Sequence, residues 1–360
     1  MIKLTQAHVL GVIIAFLLGI FIVPIVIYFS KKAGLVDKPD ERKIHVGEIS
    51  RLGGVAIWLS VMLTFALLII LSYYPKGVGL SGIIVGGSLM FLLGLIDDIF
   101  TLNAKFKFLI QISIATMVIL LGVRIDLVTL PLLGTIDLGV FSYPITLLWI
   151  VGISNALNFI DGVDGLAGSI ATISCCAIGV VSLVISPSSP ITALVAFILM
   201  GAIFAFLMFN YNPAKVFMGD SGSLYVGFML ATLSITGIAK GSAELAYLPL
   251  LILLVPILDV AFSSTRRILK GVSPFRADNE HIHHNLLHAG FSQDKVVLSL
   301  ASIGMTCALL AIAIAVLTTS TAPFVAAVGA KGKYFLWALG LIVILLLLSV
   351  SSKLIRKTNK

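Results

Sequence analysis

Seven aspartates, Asp97, Asp98, Asp161, Asp164, Asp220, Asp259 and Asp278, punctuate a chain of 360 residues that is otherwise mostly hydrocarbon. They fall at or near the ends of hydrophobic runs. A carboxylate that close to lipid is costly and needs a partner, a cation or a chemical role. The pattern points to metal-assisted chemistry at a membrane surface rather than to a passive anchor.

Five polar segments carry the candidate groups. GLIDDIF places Asp97 and Asp98 side by side, and two adjacent acids repel unless cations or protons compensate. Lys105 and Lys107 follow closely and could supply that charge or grip a phosphate; the plainer reading is a helix end with solvated acids. NALNFIDGVDGLAG holds Asn155, Asn158, Asp161 and Asp164, with Gly162 and Gly165 marking a break where backbone can approach a ligand. Alone it is equally a glycine turn capped by aspartates. FNYNPAKVFMGDSGSLYVG places Asp220 before a Ser/Gly-rich helix start, where free amides can receive phosphate oxygens. In the same segment Phe217 could stack on a base or simply anchor at the interface, and Asn210 lies ten residues before Asp220.

The remaining two segments are basic. RRILKGVSPFRADNEHIHHNLLHAGFS gathers Arg266, Arg267, Arg276, His281, His283, His284 and His288. A zinc site on His281, His284 and His288 is conceivable, but the neighbouring arginines would repel a cation, and phosphate or sugar binding suits Arg with His better. DKPDERKIHVGEISRLGG brings Lys43, His45 and Arg51, with Gly53 and Gly54 permitting close helix packing. It also reads as a plain topogenic loop.

The elements that must position these groups are membrane helices. Hydrophobic residues make up 59% of the chain and charged residues 11%, against about 25% charged in soluble domains. With about 20 apolar residues per span, the runs near 8–30, 53–74, 80–96, 106–123, 143–157, 168–186, 190–210, 222–239, 246–264, 296–318 and 333–352 predict eleven transmembrane helices. The expected fold is an all-α polytopic membrane protein forming a single domain over residues 1–360. The first run reads as a retained span rather than a cleaved leader. The outer segment 124–142 alternates weakly around Gly134 and could form a short hairpin. Cys175, Cys176 and Cys307 all fall inside spans, which favours packing over a disulfide framework.

Lys and Arg set the orientation. With the C-terminus cytoplasmic and the N-terminus outside, 18 of the 24 basic residues lie on the inner side. The acids share the bias, with 13 of 16 at or near the cytoplasmic face, although the positive-inside rule does not demand it. Loops 31–52, 97–105, 155–167, 211–222 and 265–295 therefore converge on a cytoplasmic working face. The net charge of +8 is largely topological, so nucleic acid is an unnecessary inference. A multispan transporter or lipid flippase is the rival class, but it predicts charges near mid-span and paired broken helices.

The ordered set RKIH…RLGG, GLIDD, NFIDGVDGLAG, FNYNPAKVFMGDSGS and SPFRADNEHIHHNLLHAGFS, across roughly residues 37–292, resembles the polyprenyl-phosphate N-acetylhexosamine-1-phosphate transferase family. HIHH followed by NLLHAGF resembles the branch that uses UDP-N-acetylglucosamine to begin O-antigen, common antigen or wall teichoic acid. The pentapeptide-muramyl branch, which serves peptidoglycan synthesis, usually has three histidines followed by Phe-Glu, and it stands as the alternative.

The resemblance implies the following roles. Asp220 is the ligand of Mg²⁺, with Mn²⁺ as a substitute. Asp97, Asp98 and Asp161 are catalytic, and Asp97 activates the lipid phosphate. Asn155, Asn158, Asp164, Asn210 and Phe217 line the nucleotide site. Arg276, His281, His283 and His284 handle diphosphate and sugar, and Lys43, His45 and Lys105 reach the lipid phosphate. The implied partners are a UDP-N-acetylhexosamine, undecaprenyl phosphate and the bilayer of a bacterial inner membrane, with a homodimer through outer helices as a further expectation.

Overall fold

The computed structural model describes residues 6–37, 48–71, 73, 80–130, 134–186, 190–269, 271 and 281–319. The first half holds α1 (Gln6–Lys32), β1 (Val36–Asp37), β2 (Ile49–Ser50), α2 (Gly53–Ile70), α3 (Leu80–Phe100), α4 (Ala104–Leu120), β3 (Leu127–Leu130) and β4 (Gly134–Asp137). It continues with α5 (Ser142–Ile160), α6 (Leu166–Ile185), α7 (Ile191–Asn210), α8 (Gly219–Ser234), α9 (Leu248–Ile252), α10 (Leu254–Leu269), α11 (Ile282–His288) and α12 (Gln293–Thr319).

Among the described residues, eight helices are long and apolar enough to cross a membrane, or nine if the bent pair α9–α10 forms one span. The chain is thus a mostly helical, multi-pass membrane protein. The run at 106–123 becomes α4, whose 17 residues reach about 26 Å. The run at 333–352 lies outside the described residues. So do Lys43, His45, Arg276 and Asp278.

The run at 246–264 is not one straight helix. Its halves meet at 69° around Leu253. Pro256 carries no N–H to donate to the Ile252 carbonyl, and its ring crowds that oxygen. The freed Ile252 carbonyl accepts from Ser174 Oγ at 3.5 Å instead, as backbone inside a membrane requires. The hairpin expected around Gly134 forms as β3–β4, antiparallel, pairing Leu127 with Asp137 and Leu130 with Gly134.

Packing follows the small residues. Ala7, Gly11, Ala15 and Gly19 recur every four positions and make the buried stripe of α1, while Val9, Ile13, Leu17, Phe21 and Ile25 face outward. That stripe lets α1 lie against α7, where a Cβ on Gly201 would come within 2.6 Å of the Val12 carbonyl. At the centre is α8, buried from Ser221 to Ser234 and wrapped chiefly by α2, α3 and α5.

Two contacts bring the start of α8 to its neighbours. A Cβ on Gly54 would lie 2.1 Å from the Gly222 nitrogen, and one on Gly94 would lie 2.3 Å from the Asp220 carbonyl oxygen. Backbone therefore touches backbone, as Gly54 had promised, and no side chain can yield. Gly94→Ala is expected to force α3 and α8 apart at a cost of about 1–3 kcal/mol. An earlier thermal transition in detergent would register this, and an unchanged transition would refute it.

Candidate active site

Asp97 and Asp98 are adjacent yet face different neighbours, because successive helical residues lie about 100° apart. Asp97 closes the end of α3, where the Leu102 N–H donates to its Oδ1 at 2.6 Å. The Lys107 ammonium donates to Asp97 Oδ2 at 2.7 Å and also to Asp220 Oδ2. Asn103 starts α4 by accepting the Lys105 N–H, and this sets the phase that turns Lys107 inward. The Lys107 side chain is only 14% exposed, whereas Lys105 is exposed and makes no side-chain contact with the aspartates.

Asp98 points at α8. Its Oδ1 accepts the Asp220 N–H at 2.8 Å and its Oδ2 accepts the Ser221 N–H at 3.0 Å. The start of α8 therefore does not offer these two amides to a phosphate, as the sequence suggested; a carboxylate from α3 already caps them. Gly219 makes this approach possible, with φ +70° and no room for a Cβ beside the Asp98 carboxylate. Asp98 thereby holds the start of α8, and with it Asp220, in place.

The last turn of α5 completes the constellation. Asn158 Nδ2 donates to Asp220 Oδ1 at 2.6 Å and to Ser223 Oγ at 2.8 Å. Asn155, one turn earlier, donates instead to Gln111 Oε1 at 2.6 Å and to the Val151 carbonyl, bracing α5 against α4. Asp161 ends α5, and among the described residues its carboxyl has no hydrogen-bond partner. Burial, then the charges of Asp220, Asp98 and Asp164, hold it well above the usual carboxylate range.

The glycine turn and the Asn-Pro loop are bound to each other. Asp164 Oδ2 accepts the Ala214 N–H at 3.1 Å. Asn210, only 2% exposed, accepts the Gly165 N–H at 3.0 Å and donates to the Val216 carbonyl at 2.8 Å. Expected as a nucleotide contact, Asn210 in this structure is a clamp whose two ends are both taken by backbone. Phe217 is half-buried beside β2, where its N–H donates to the Ser50 carbonyl at 2.8 Å and its carbonyl accepts the Gly53 N–H. Asp37 on β1, which pairs with β2, accepts from Arg51 in an ion pair.

The histidines divide by depth. His283 is fully buried, and a Cβ on Gly162 would lie 3.0 Å from its Nε2. Burial pulls its imidazole down to about 4, with Asp259 opposing the shift, so it is neutral at ordinary pH. A neutral, enclosed ring is not a cationic grip on a diphosphate. His281 is also buried, bonded to Asp259, and His284 is the partly exposed member. Among the described residues, no group of three or more His, Cys, Asp or Glu side chains forms a metal cage, so the zinc arrangement of His281, His284 and His288 does not assemble.

The site thus consists of Asp97, Lys107, Asp220 and Asn158, backed by Asp98 and flanked by Asp161. A profile of glycosyl transferase family 4 matches residues 80–238, a stretch that contains all six. The chain is 36% identical over 298 residues to a probable undecaprenyl-phosphate N-acetylglucosaminyl 1-phosphate transferase of Bacillus subtilis, covering 82% of each chain. It is 34% identical to the decaprenyl-phosphate N-acetylglucosaminephosphotransferase of Mycolicibacterium smegmatis, over 74% of this chain and 71% of that one. It is 30% identical to the undecaprenyl-phosphate alpha-N-acetylglucosaminyl 1-phosphate transferase of Escherichia coli K12, over 76% and 75%. The chain belongs to glycosyl transferase family 4.

Within this family 4 chain, the structure adds Gln111 to the candidates and gives Lys107, Ser223 and Asp259 definite partners. Lys107 carried a visible signal, a cation ten residues after Asp97, but only the helix phase separates it from Lys105. Gln111 carried none beyond polarity within an apolar run, and Ser223 only its place in the Ser/Gly-rich start of α8.

Proposed function

We propose that this chain transfers N-acetylglucosamine-1-phosphate from UDP-N-acetylglucosamine to undecaprenyl phosphate, releasing UMP and leaving undecaprenyl-diphospho-N-acetylglucosamine in the membrane. The observation that carries the reading is the Lys107 ammonium shared by Asp97 and Asp220 where α3, α4, α5 and α8 meet. Family membership and the activities for which the relatives are named point the same way. We place the site at the cytoplasmic face of a bacterial inner membrane, in an eleven-span chain with its N-terminus outside.

A lipid-phosphate oxygen forms a bond to the sugar-linked phosphorus. The bridging P–O bond breaks, and its electron pair leaves on UMP. The nucleophile is already anionic, so the work is alignment and relief of phosphate–phosphate repulsion. Lys107 offers positive charge at the point of attack, and Asp97 orients that ammonium and accepts a proton from a monoprotonated lipid phosphate. Asn158 and Asp98 hold Asp220 from two sides. Phe217 lies where a uracil could stack, and Asp164 fixes the adjoining loop.

The donors suit magnesium. They are oxygens only, and among the described residues the Asp161 carboxyl makes no hydrogen bond. Held by Asp220 with Asp161, Mg²⁺ would neutralise the diphosphate and the departing UMP.

The test is transfer from radiolabelled UDP-sugars to undecaprenyl phosphate by the purified chain. Label from UDP-N-acetylglucosamine is expected in the lipid, with loss of about a hundredfold or more on chelation and recovery with Mg²⁺. Transfer of the muramyl-pentapeptide in place of N-acetylglucosamine would overturn the sugar assignment, and chelator-resistant transfer would overturn the metal.

A further inference from the structure

The reaction scheme leaves the most deeply buried carboxylate among the described residues unused. Asp259 lies in α10, 2% exposed, and no motif of the site includes it. Its Oδ2 accepts from His281 Nδ1 at 2.8 Å, its Oδ1 accepts the Ile282 N–H at 2.8 Å, and His283 Nδ1 stands 3.8 Å from Oδ1. One carboxylate thus meets three successive residues at the start of α11.

That helix has seven residues, too few to hold its shape alone in water. The residue that precedes it at the N-cap, His281, has extended backbone angles and gives no side-chain cap of its own. Asp259 supplies the missing acceptor from another helix. The other side of α11 is seated by His283 against Gly162, in the turn that carries Asp161 and Asp164. The His281 ring lies 5.5 Å from the ring of Phe159, two residues before Asp161, and α10 itself packs on α5. Since a carboxylate only accepts, Nδ1 of His281 carries the proton toward Asp259, and Nε2 is the edge left for another partner.

We propose that Asp259 is a positioning residue: it clamps α11 onto the end of α5 and sets the orientation and tautomer of His281, through which it acts on the bound sugar diphosphate. The clamp is independent of the proposed reaction, whereas the effect on substrate rests on it. Asp259→Asn keeps the volume and one acceptor but presents an NH₂ to the imidazole.

Two measurements on the full chain in nanodiscs separate the parts. Hydrogen exchange in Asp259→Asn should quicken over residues 282–288 and stay unchanged in α8; unchanged exchange over 282–288 overturns the clamp. In steady-state transfer, Asp259→Asn should raise KM for UDP-N-acetylglucosamine about tenfold, with a smaller change in kcat. His281→Ala should do the same, the double variant should be no worse than the poorer single one, and Asp259→Glu should recover part of the loss. A wild-type KM in Asp259→Asn, or full additivity in the double variant, overturns action through His281. If Asp259→Asn loosened α8 as well, His281→Ala alone decides, and a wild-type KM there overturns the proposal. A wild-type chain that transferred no N-acetylglucosamine would remove the proposed function, while the exchange result would still judge the clamp.

Discussion

Asp97→Asn is expected to reduce transfer about a thousandfold at saturating substrates while leaving UMP affinity close to wild type. The asparagine oxygen can still accept the Leu102 N–H, so the turn after α3 survives. Its NH₂, however, would face the Lys107 ammonium where a carboxylate oxygen now accepts at 2.7 Å. Two donors cannot share that position, so Lys107 would collapse onto Asp220 and leave the lipid-phosphate side without an oriented cation or a proton acceptor. Initial rates together with calorimetry of UMP binding distinguish this from lost nucleotide recognition. Turnover near wild type would remove Asp97 from the chemistry.

The second large effect comes from the cation. Lys107→Met removes the counter-charge from two carboxylates at once, and breaking such an enclosed pair costs several kcal/mol when one partner is left uncompensated. Asp220 is 31% exposed at its side chain, so water screens part of this and a loss of about 2 kcal/mol in stability is expected. Transfer should fall about a thousandfold as well. Adding Asp97→Asn to Lys107→Met removes one of the stranded charges and should restore much of the stability without restoring activity. Thermal unfolding and transfer assays on the three variants read this out. If the double variant were less stable than Lys107→Met alone, the charge argument would fail.

Much of the architecture was legible because a bilayer imposes a simple rule. A run of apolar residues long enough to cross must close its backbone hydrogen bonds internally, so helices can be counted from composition. The 246–264 run shows the limit of that rule. Pro256 was visible, but whether it would kink or break the helix depended on Ser174 being placed to satisfy the Ile252 carbonyl. Gly53 and Gly54 announced close packing, though not which backbone they would meet, and the like role of Gly94 showed only in the structure.

The site was less evenly legible. Residue type alone drew attention to seven aspartates, because carboxylates beside lipid are costly wherever they occur, and the family resemblance narrowed them to Asp97, Asp98, Asp161, Asp164 and Asp220. Their separate duties were invisible. Asp98 caps α8, Asn210 ties two loops together, Asn155 braces α5 on α4, and His283 is enclosed against Gly162. Each of these facts depends on a partner 44 to 123 residues away in sequence.

By itself, then, the amino-acid order determined a helical membrane protein whose acids and bases gather at the ends of its spans, and it marked the carboxylates that needed company. Only the tertiary structure decided which company each one keeps. A hydrogen bond depends on angles and on distances of about 3 Å, and those are set by how helices rotate and pack. Lys107 rather than Lys105 faces Asp97 and Asp220 for that reason, and Asp259 turns from an isolated buried charge into the anchor of α11.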